Sequence, residues 1–194
     1  MANLFTRFLL VVLGYLLGSF PANYLTAKLA AGVDLRAVAN GNIGGMNTMR
    51  NVGFFPGFVG TLLDIAKGAV AAYLGNRVIP GWGWISGALA VIGHNWMLPL
   101  KFVGGKGVAT TAGMLLALDP RVILTWAVIA AVVILVARDS YAGAATAYAT
   151  LPVVAWKFAG IPEAFWGGLL VGGACLLKLR PDLRAFRSGR RVIF

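Results

Sequence analysis

Long apolar stretches separated by short polar segments run along most of the chain. Because a helix needs about 20 mostly apolar residues to cross a membrane, seven of these stretches are interpreted as membrane-spanning helices. The predicted spans are residues 4–26, 54–74, 82–99, 107–118, 121–137, 141–158 and 162–179. Glycine recurs inside the spans, and small residues let helices pack closely in lipid. The pattern predicts an all-α integral membrane protein with one domain over residues 1–194.

The predicted helix at 107–118 is short for a membrane span. A helix over these residues rises about 18 Å, whereas the hydrocarbon core is about 30 Å thick. If the segment were re-entrant, everything after it would be inverted, and the basic C-terminal tail would lie outside the cell. Basic residues collect on the cytoplasmic side of membrane proteins, so an external basic tail is disfavoured. We therefore expect 107–118 to be a short span in a locally thinned membrane.

Lysine and arginine are unevenly distributed among the segments between the spans. With the N-terminus outside, the predicted inner segments carry 12 of these residues and the outer segments carry 4. Basic residues collect on the cytoplasmic side of membrane proteins. The distribution predicts an external N-terminus and a cytoplasmic C-terminus, with residues 101–106 also facing the cytoplasm. Most of the basic tail is expected to lie at the membrane surface.

Composition supports a membrane location and narrows the choice of partners. The chain has 194 residues, of which 59% are hydrophobic and 12% charged, with a mean hydropathy of +0.82 and a net charge of +11. A soluble domain of this size could not bury so much apolar surface. Because the basic residues flank apolar spans, anionic lipid headgroups and phosphorylated substrates are favoured over nucleic acid. The single cysteine, Cys175, has no Cys or His neighbours with which to bind a metal.

A glycine-rich segment at 93–111 carries the strongest chemical signal. Gly104, Gly105 and Gly107 enclose one cation, Lys106. Glycine lets backbone N–H groups approach an anion closely, and a helix beginning near Gly107 would add positive partial charge. The segment predicts a phosphate or carboxylate site, but not a nucleotide-binding loop, because the GxxxxGK[ST] spacing is absent. The alternative is a flexible hairpin whose lysine anchors to lipid headgroups.

The loop between the first two spans is also rich in groups that bind phosphate. It contains Asn40, Asn42, Gly44, Asn47 and Arg50. Amide side chains and glycine backbones can hydrogen-bond hydroxyl and phosphate oxygens, and arginine can bind phosphate with two donors. The alternative is a solvated connector.

Several further polar residues fall within the spans or at their ends. Ser19 lies in a Gly-Ser-Phe-Pro break near the inner end of the first helix, where an ordinary proline kink is the alternative. Asp64 and Lys67 are three residues apart on one helix and can form a buried ion pair. His94, the only histidine, ends the third span, as a base near the anion site or as a partner of the helix dipole.

Together these motifs resemble the bacterial acyl-phosphate:glycerol-3-phosphate acyltransferases of the PlsY type, over essentially the whole chain. The resemblance is carried by residues 18–19, 32–36, 41–44 with 47 and 50, 64 with 67–68, 93–94, and 101 with 104–110. It implies seven helices with the site at the cytoplasmic face of the bacterial inner membrane. It also implies transfer of a fatty acyl group from acyl phosphate to the 1-hydroxyl of glycerol 3-phosphate, giving lysophosphatidic acid. Neither a metal nor a cofactor is expected.

The site residues follow from the motifs and the resemblance. The expected catalytic residues are Lys106, His94 and Ser19. The expected substrate-binding residues are Arg50, Asn42, Gly44, Asn47, Asn40, Gly104, Gly105, Gly107, Thr110, Lys101 and Arg180. The acceptor's proton passes to His94 or to a substrate phosphate, and we favour the phosphate. The expected partners are acyl phosphate, glycerol 3-phosphate and membrane lipids, with no nucleic acid, and the chain is expected to be a monomer.

The chain departs from the family pattern at several hydrogen-bonding positions. Asn40 replaces a serine and Met46 a threonine, and two serines expected within residues 138–144 are missing. Near the C-terminus, Leu179 replaces a histidine and Asp182 an asparagine. The alternative function is therefore a non-catalytic or altered-substrate membrane relative that binds a phosphorylated lipid precursor or another anion.

Overall fold

The computed structural model describes residues 3–39 and 41–188, and all regular structure within them is helical. The α-helices are α1 Leu4–Gly18, α2 Ala22–Ala31, α3 Gly45–Asn51, α4 Phe54–Val78, α5 Gly83–Asn95, α6 Val108–Leu118, α7 Pro120–Ala137, α8 Ser140–Ala159 and α9 Pro162–Arg187. Two single-turn 3₁₀ helices cover Leu35–Ala37 and Leu98–Leu100.

Local capping explains why α7 and α8 begin and end within one residue of prediction, whereas α9, predicted to end at residue 179, continues to Arg187. The Asp119 carboxylate accepts a 2.9 Å hydrogen bond from the Arg121 backbone N–H at the start of α7. Asp139 accepts a 2.8 Å bond from the Ala142 N–H at the start of α8. Such side chains satisfy backbone donors that have no partner within the helix. Gly160, with φ of +69°, ends α8 in the left-handed conformation that glycine adopts easily.

The prediction of an all-helical membrane protein is confirmed. Among the described residues, three helical segments are long and apolar enough to cross a membrane: Leu4–Ala31, Phe54–Val78 and Pro120–Ala137. Val108–Leu118 is apolar but shorter. The exposed face of α7 is almost entirely apolar, as expected for a surface in contact with lipid. The total of seven spans and the orientation of the termini remain predictions.

Helix boundaries differ from prediction where proline intervenes. The first predicted span is two helices, because Pro21 has no N–H to donate and its ring excludes the preceding helical turn. At this break the Phe20 carbonyl accepts a 3.0 Å hydrogen bond from the Ala22 N–H and a 2.9 Å bond from Lys67 Nζ of α4. Helix α5 ends at Asn95, four residues before the predicted end, and a 3₁₀ turn containing Pro99 follows. Residues 27–53, predicted as a loop, contain α3.

Glycines bring α4 and α6 into backbone contact, which places the start of α6 beside α4. A Cβ added to Gly68 would overlap the backbone of Thr110, and one added to Gly113 would overlap the backbone of Ile65. The contact is reciprocal, with one glycine on each helix. Close approach through small residues is how helices associate in lipid, where the hydrophobic effect does not drive them together.

Candidate active site

The glycine-rich loop leads directly into the N-terminus of α6. Gly107 has φ of +82° and is the N-cap residue of the helix, and Val108 is its first residue. The prediction that a helix begins at Gly107 is confirmed. Thr111 donates its N–H to the Gly107 carbonyl at 2.8 Å, and the Thr110 side chain is fully buried in the first turn.

The loop packs tightly against the end of α5. The Gly105 N–H donates a 3.0 Å hydrogen bond to the His94 carbonyl oxygen. A Cβ at Gly104 would overlap the His94 and Asn95 carbonyls, and a Cβ at Gly105 would overlap His94 Nε2. We expected the N–H groups of the loop to point at a ligand, but the N–H of Gly105 is used inside the protein. Here glycine is required for close packing on His94.

Lys106 reaches from the loop towards α9. Its ammonium nitrogen lies 2.7 Å from Oδ2 of Asp182 and 4.1 Å from the ring centroid of Tyr141. The side chains of Lys106 and Asp182 are 18% and 17% exposed. The pair is therefore partly shielded from water but still accessible to a ligand.

A cavity of about 330 Å³ opens beside Lys106. It is lined by Gly41, Asn42, Val103, Gly104, Gly105, Lys106, Lys178, Pro181 and Asp182. The lining comes from three parts of the chain: the loop before α3, the glycine-rich loop and the last turns of α9. The cavity thus brings together four of the predicted site residues, namely Asn42, Gly104, Gly105 and Lys106.

The loop that contains Asn42 is held in place by contacts with residues that do not line the cavity. The amide nitrogen of Asn47 donates a 2.8 Å hydrogen bond to the Asn42 carbonyl. Gly44 is the N-cap residue of α3, and its carbonyl accepts a 3.1 Å bond from the Thr48 hydroxyl. Ile43 is completely buried. Asn47 and Gly44 therefore shape the cavity without lining it.

A buried polar network centred on Asp64 lies beneath the glycine-rich loop. Asp64 Oδ1 is 2.7 Å from Lys67 Nζ and 3.2 Å from His94 Nδ1, and its Oδ2 accepts a 2.6 Å hydrogen bond from Asn23. All four side chains are buried. The predicted pairing of Asp64 with Lys67 is confirmed, while the contact of Asp64 with His94 has no signal in the sequence. The network links the break between α1 and α2 to the end of α5.

The segment after α2 carries an exposed ion pair. The Asp34 carboxylate receives hydrogen bonds from the Arg36 backbone at 3.0 Å and from its guanidinium at 2.6 Å. The guanidinium lowers the pKa of Asp34 to about 2. Arg36 also lies over the Tyr24 ring. These residues belong to the 32–36 motif, but they do not line the cavity.

The other predicted site residues lie outside the cavity. Ser19 is buried, with its hydroxyl 3.4 Å from the Gly93 carbonyl, at the break between α1 and α2. Arg50, Lys101 and Arg180 are exposed away from the cavity lining. Their roles in binding, like those of His94, Ser19, Gly107 and Thr110, remain predictions. Asn40, as well as Arg190 and Arg191 of the basic tail, lies outside the described residues.

Two charged residues of the cavity, Lys178 and Asp182, were not predicted as site residues. In the sequence Lys178 is the first basic residue of the C-terminal tail, and Asp182 stands out only as a departure from the family pattern. They are four residues apart on α9 and so share one face of the helix. That spacing is visible in the sequence. The position of this face beside Lys106 depends on how α9 packs, and no local pattern encodes it.

A second depression lacks the charged groups that a phosphate site needs. This depression, of about 280 Å³, is lined by Trp156, Pro162, Phe165 and Trp166, none of which carries a charge. Within residues 3–39 and 41–188, no three His, Cys, Asp or Glu side chains come together as metal ligands would.

Comparison with known proteins identifies the family. A family model described as glycerol-3-phosphate acyltransferase matches residues 8–189. A glycerol-3-phosphate acyltransferase of Wolbachia pipientis wMel is 33% identical over 97% of this chain and 98% of its own length. Its counterpart in Halalkalibacterium halodurans is 40% identical over 93% of this chain and 92% of its own.

Two solved structures of a member of this family have the same fold as this chain. The crystal structure of PlsY, an integral membrane glycerol 3-phosphate acyltransferase, in its glycerol 3-phosphate form is 28% identical, with a TM-score of 0.87 over 97% of this chain and 96% of that one. Its lysophosphatidic acid form has a TM-score of 0.84, over 97% of this chain and 95% of that one. The resemblance inferred from the motifs is confirmed: the chain belongs to the glycerol-3-phosphate acyltransferase family.

Proposed function

We propose that this protein transfers a fatty acyl group from acyl phosphate to the 1-hydroxyl of glycerol 3-phosphate, giving lysophosphatidic acid and inorganic phosphate. The observation that carries the proposal is the cavity at the start of α6. There Lys106, the glycine-rich loop and the Asn42 loop converge on one partly shielded space. Both substrates carry phosphate, and the cavity combines cations with neutral hydrogen-bonding groups that suit it.

This acyl transfer depends more on positioning the two substrates than on a strongly activated nucleophile. Acyl phosphate is a mixed anhydride with a good leaving group. The 1-hydroxyl oxygen attacks the acyl carbonyl carbon, a new ester bond forms, and the bond from that carbon to the phosphate oxygen breaks. Holding both substrates in line can supply roughly 7–11 kcal/mol of the barrier. Each donor aimed at the developing negative charge can add roughly 2.7–4 kcal/mol. Lys106 is one of the charged donors that line the cavity.

The hydroxyl proton passes to a substrate phosphate oxygen. A general base must lie within hydrogen-bond reach of the proton it removes. His94 is 3% exposed, with Nδ1 against Asp64 and Nε2 beneath Gly105, and it does not line the cavity. In this arrangement His94 supports the loop, and Asp64 orients His94. The Asp182 carboxylate in the cavity is already paired with Lys106, which leaves the phosphate oxygens of the substrates as bases.

The same proposal includes a topology and a location. Seven spans with an external N-terminus place the glycine-rich loop and the end of α9, and hence the cavity, at the cytoplasmic face of the bacterial inner membrane. Support comes from the 12 to 4 bias of basic residues towards the predicted inner segments. Substrates that carry phosphate would then enter from the cytoplasm, and the acyl chain would extend along the lipid-facing helices. We propose that the chain acts as a monomer.

Two observations favour a second candidate, an anion-binding relative without transferase activity. Asp182 already neutralises Lys106, and Leu179, almost completely buried, stands where the family pattern has a histidine. A site with fewer donors could bind a phosphorylated lipid precursor without reacting with it.

One assay separates the two candidates. The purified full-length chain is incubated in detergent with acyl phosphate and radiolabelled glycerol 3-phosphate, and lysophosphatidic acid is quantified. The proposed enzyme forms labelled product only when acyl phosphate is present. Protection of the chain against heat by glycerol 3-phosphate, without any product, would support the binding relative instead.

A further inference from the structure

The cavity contains a second lysine whose charge is not neutralised. Lys178 lies on α9 with its side chain half-buried, and it lines the cavity together with Lys106. Its ammonium nitrogen is 5.2 Å from the ring centroid of Trp96, which provides a favourable cation–π contact and covers one side of the charge. Among the ion pairs of the described residues, none involves Lys178.

The Asp182 carboxylate pairs with only one of the two lysines of the cavity. It lies one helical turn beyond Lys178 and could pair with it, because residues four apart on a helix are neighbours. Instead its carboxylate lies 2.7 Å from the nitrogen of Lys106. The cavity therefore holds two positive charges and one negative charge, and the net positive charge resides on Lys178.

We propose that Lys178 is a phosphate-binding residue of this site, and that it provides the net positive charge that attracts the substrate phosphate. This rests on the proposed function only for the identity of the substrate; binding of phosphate itself does not depend on it. A phosphate monoester carries a charge of about −1.5 to −2 at neutral pH. It meets an opposing carboxylate in Asp182. Without Lys178 the cavity would be neutral, and Lys106 alone would have to hold both Asp182 and the phosphate.

The position of Lys178 distinguishes it from the other cations of this face. Lys101 and Arg180 are exposed and lie outside the cavity lining. Arg184 is on the same helix as Lys178 but is also exposed and outside the lining. It is therefore a matched control: the same loss of one positive charge from α9, away from the cavity.

Removing single charges from the cavity gives the sharpest test. In the full-length enzyme, Lys178→Gln should raise KM for glycerol 3-phosphate about 10-fold or more, as expected for losing a hydrogen bond to a charged group, with kcat changed far less. Lys178→Arg should restore most of the affinity. Asp182→Asn should lower KM, because it removes the competing carboxylate. The double variant Lys178→Gln/Asp182→Asn keeps the net charge and should return KM towards the wild-type value. Arg184→Gln should leave KM unchanged.

A structural role for Lys178 would give a different pattern. It predicts that Lys178→Gln lowers expression or thermal stability, and that Asp182→Asn does not compensate. An unchanged KM in Lys178→Gln, or a raised KM in Asp182→Asn, would overturn the proposal.

Binding of inorganic phosphate tests the inference separately from catalysis. A ligand that binds only the folded state raises the melting temperature with concentration. At matched ionic strength, phosphate should raise the melting temperature of the wild type and of Arg184→Gln, but much less that of Lys178→Gln. This result would hold even for a chain that forms no lysophosphatidic acid, in which case only the proposed reaction fails. An equal shift in Lys178→Gln, or no shift in the wild type, would overturn the role of Lys178.

Discussion

The backbone N–H of Gly105 donates a 3.0 Å hydrogen bond to the carbonyl of His94, and the imidazole of the same histidine fills the space where a Cβ of residue 105 would lie. The glycine-rich loop thus rests on a buried side chain that Asp64 orients from α4. This relationship explains how a loop of small residues can hold Lys106 in one place. It supports our proposal that His94 holds the loop in place and that a substrate phosphate accepts the proton.

Gly105→Ala should disable the enzyme without unfolding it. The added methyl group would overlap His94 Nε2 and push the loop away, and a displacement of about 1 Å in a catalytic site can cost about 100-fold in rate. The measurement is kcat/KM for acyl transfer. Gly173→Ala is the control, because a Cβ at Gly173 on α9 meets nothing within 4 Å. Full activity in Gly105→Ala would show that the loop does not depend on this contact.

Asp64→Asn should destabilise the fold. The change removes the negative charge that pairs with buried Lys67 and contacts His94, and leaving one partner of a buried ion pair unmatched costs about 3–5 kcal/mol. The measurement is the free energy of unfolding in detergent with increasing denaturant. Asp34→Asn is the control, because its ion pair with Arg36 is exposed, and it should change stability little. Equal stability of the two variants would contradict a structural role for the Asp64 network.

Asn47→Ala should weaken activity only modestly. Its amide donates to the Asn42 carbonyl and accepts a 2.8 Å hydrogen bond from the Asn51 amide, and only the first of these bonds holds the cavity loop. Losing that one neutral hydrogen bond costs about 1 kcal/mol, or roughly fivefold in kcat/KM. The loop would retain its buried anchor at Ile43. A loss of several hundredfold with normal expression would mean that Asn47 contacts the substrate itself.

Reporter fusions test the topology. Alkaline phosphatase, which is active only outside the cytoplasm, should be inactive when fused after Phe194 and active when fused after Gly160. The expectation follows from seven spans with a cytoplasmic C-terminus, including α6 as a short span. The opposite result at both positions would mean that α6 does not cross the membrane.

The sequence predicted the elements of the fold well where local signals exist. Apolar length and the capping residues Asp119 and Asp139 place α7 and α8 within one residue of prediction. The Gly-Ser-Phe-Pro motif marks the break at Pro21, but the predicted span runs through it to residue 26 as one helix, whereas a second helix begins at Ala22 and ends at Ala31. That second helix is stabilised by tertiary contacts, since Asn23 of α2 bonds to Asp64 of α4.

The site was predicted in part, for a physical reason. Lys106, Asn42 and the glycines carry their signal in local sequence motifs, and the structure places them around one cavity. Asp182 is 76 residues from Lys106 in the chain, and its pairing with that lysine depends on how α9 packs beside the loop. The contact of His94 with Asp64 likewise joins two helices. Neither contact leaves a periodic pattern in the sequence.

Acyl transfer by wild type and Lys106→Ala is the most direct measurement of the central claim, that the cavity beside Lys106 is the phosphate site of an acyltransferase. The lysine is flanked by glycines, so its removal should leave the helical circular dichroism spectrum and the detergent elution profile unchanged. Losing one partner of a charge pair costs about 2–5 kcal/mol, so kcat/KM should fall about 30- to several-thousand-fold. Lys106→Arg should recover only part of this, because a planar guanidinium does not fit where a compact ammonium lies. Lys157→Ala, on the exposed far end of α8, should retain full activity. A folded Lys106→Ala variant that keeps most of the wild-type activity would contradict the account.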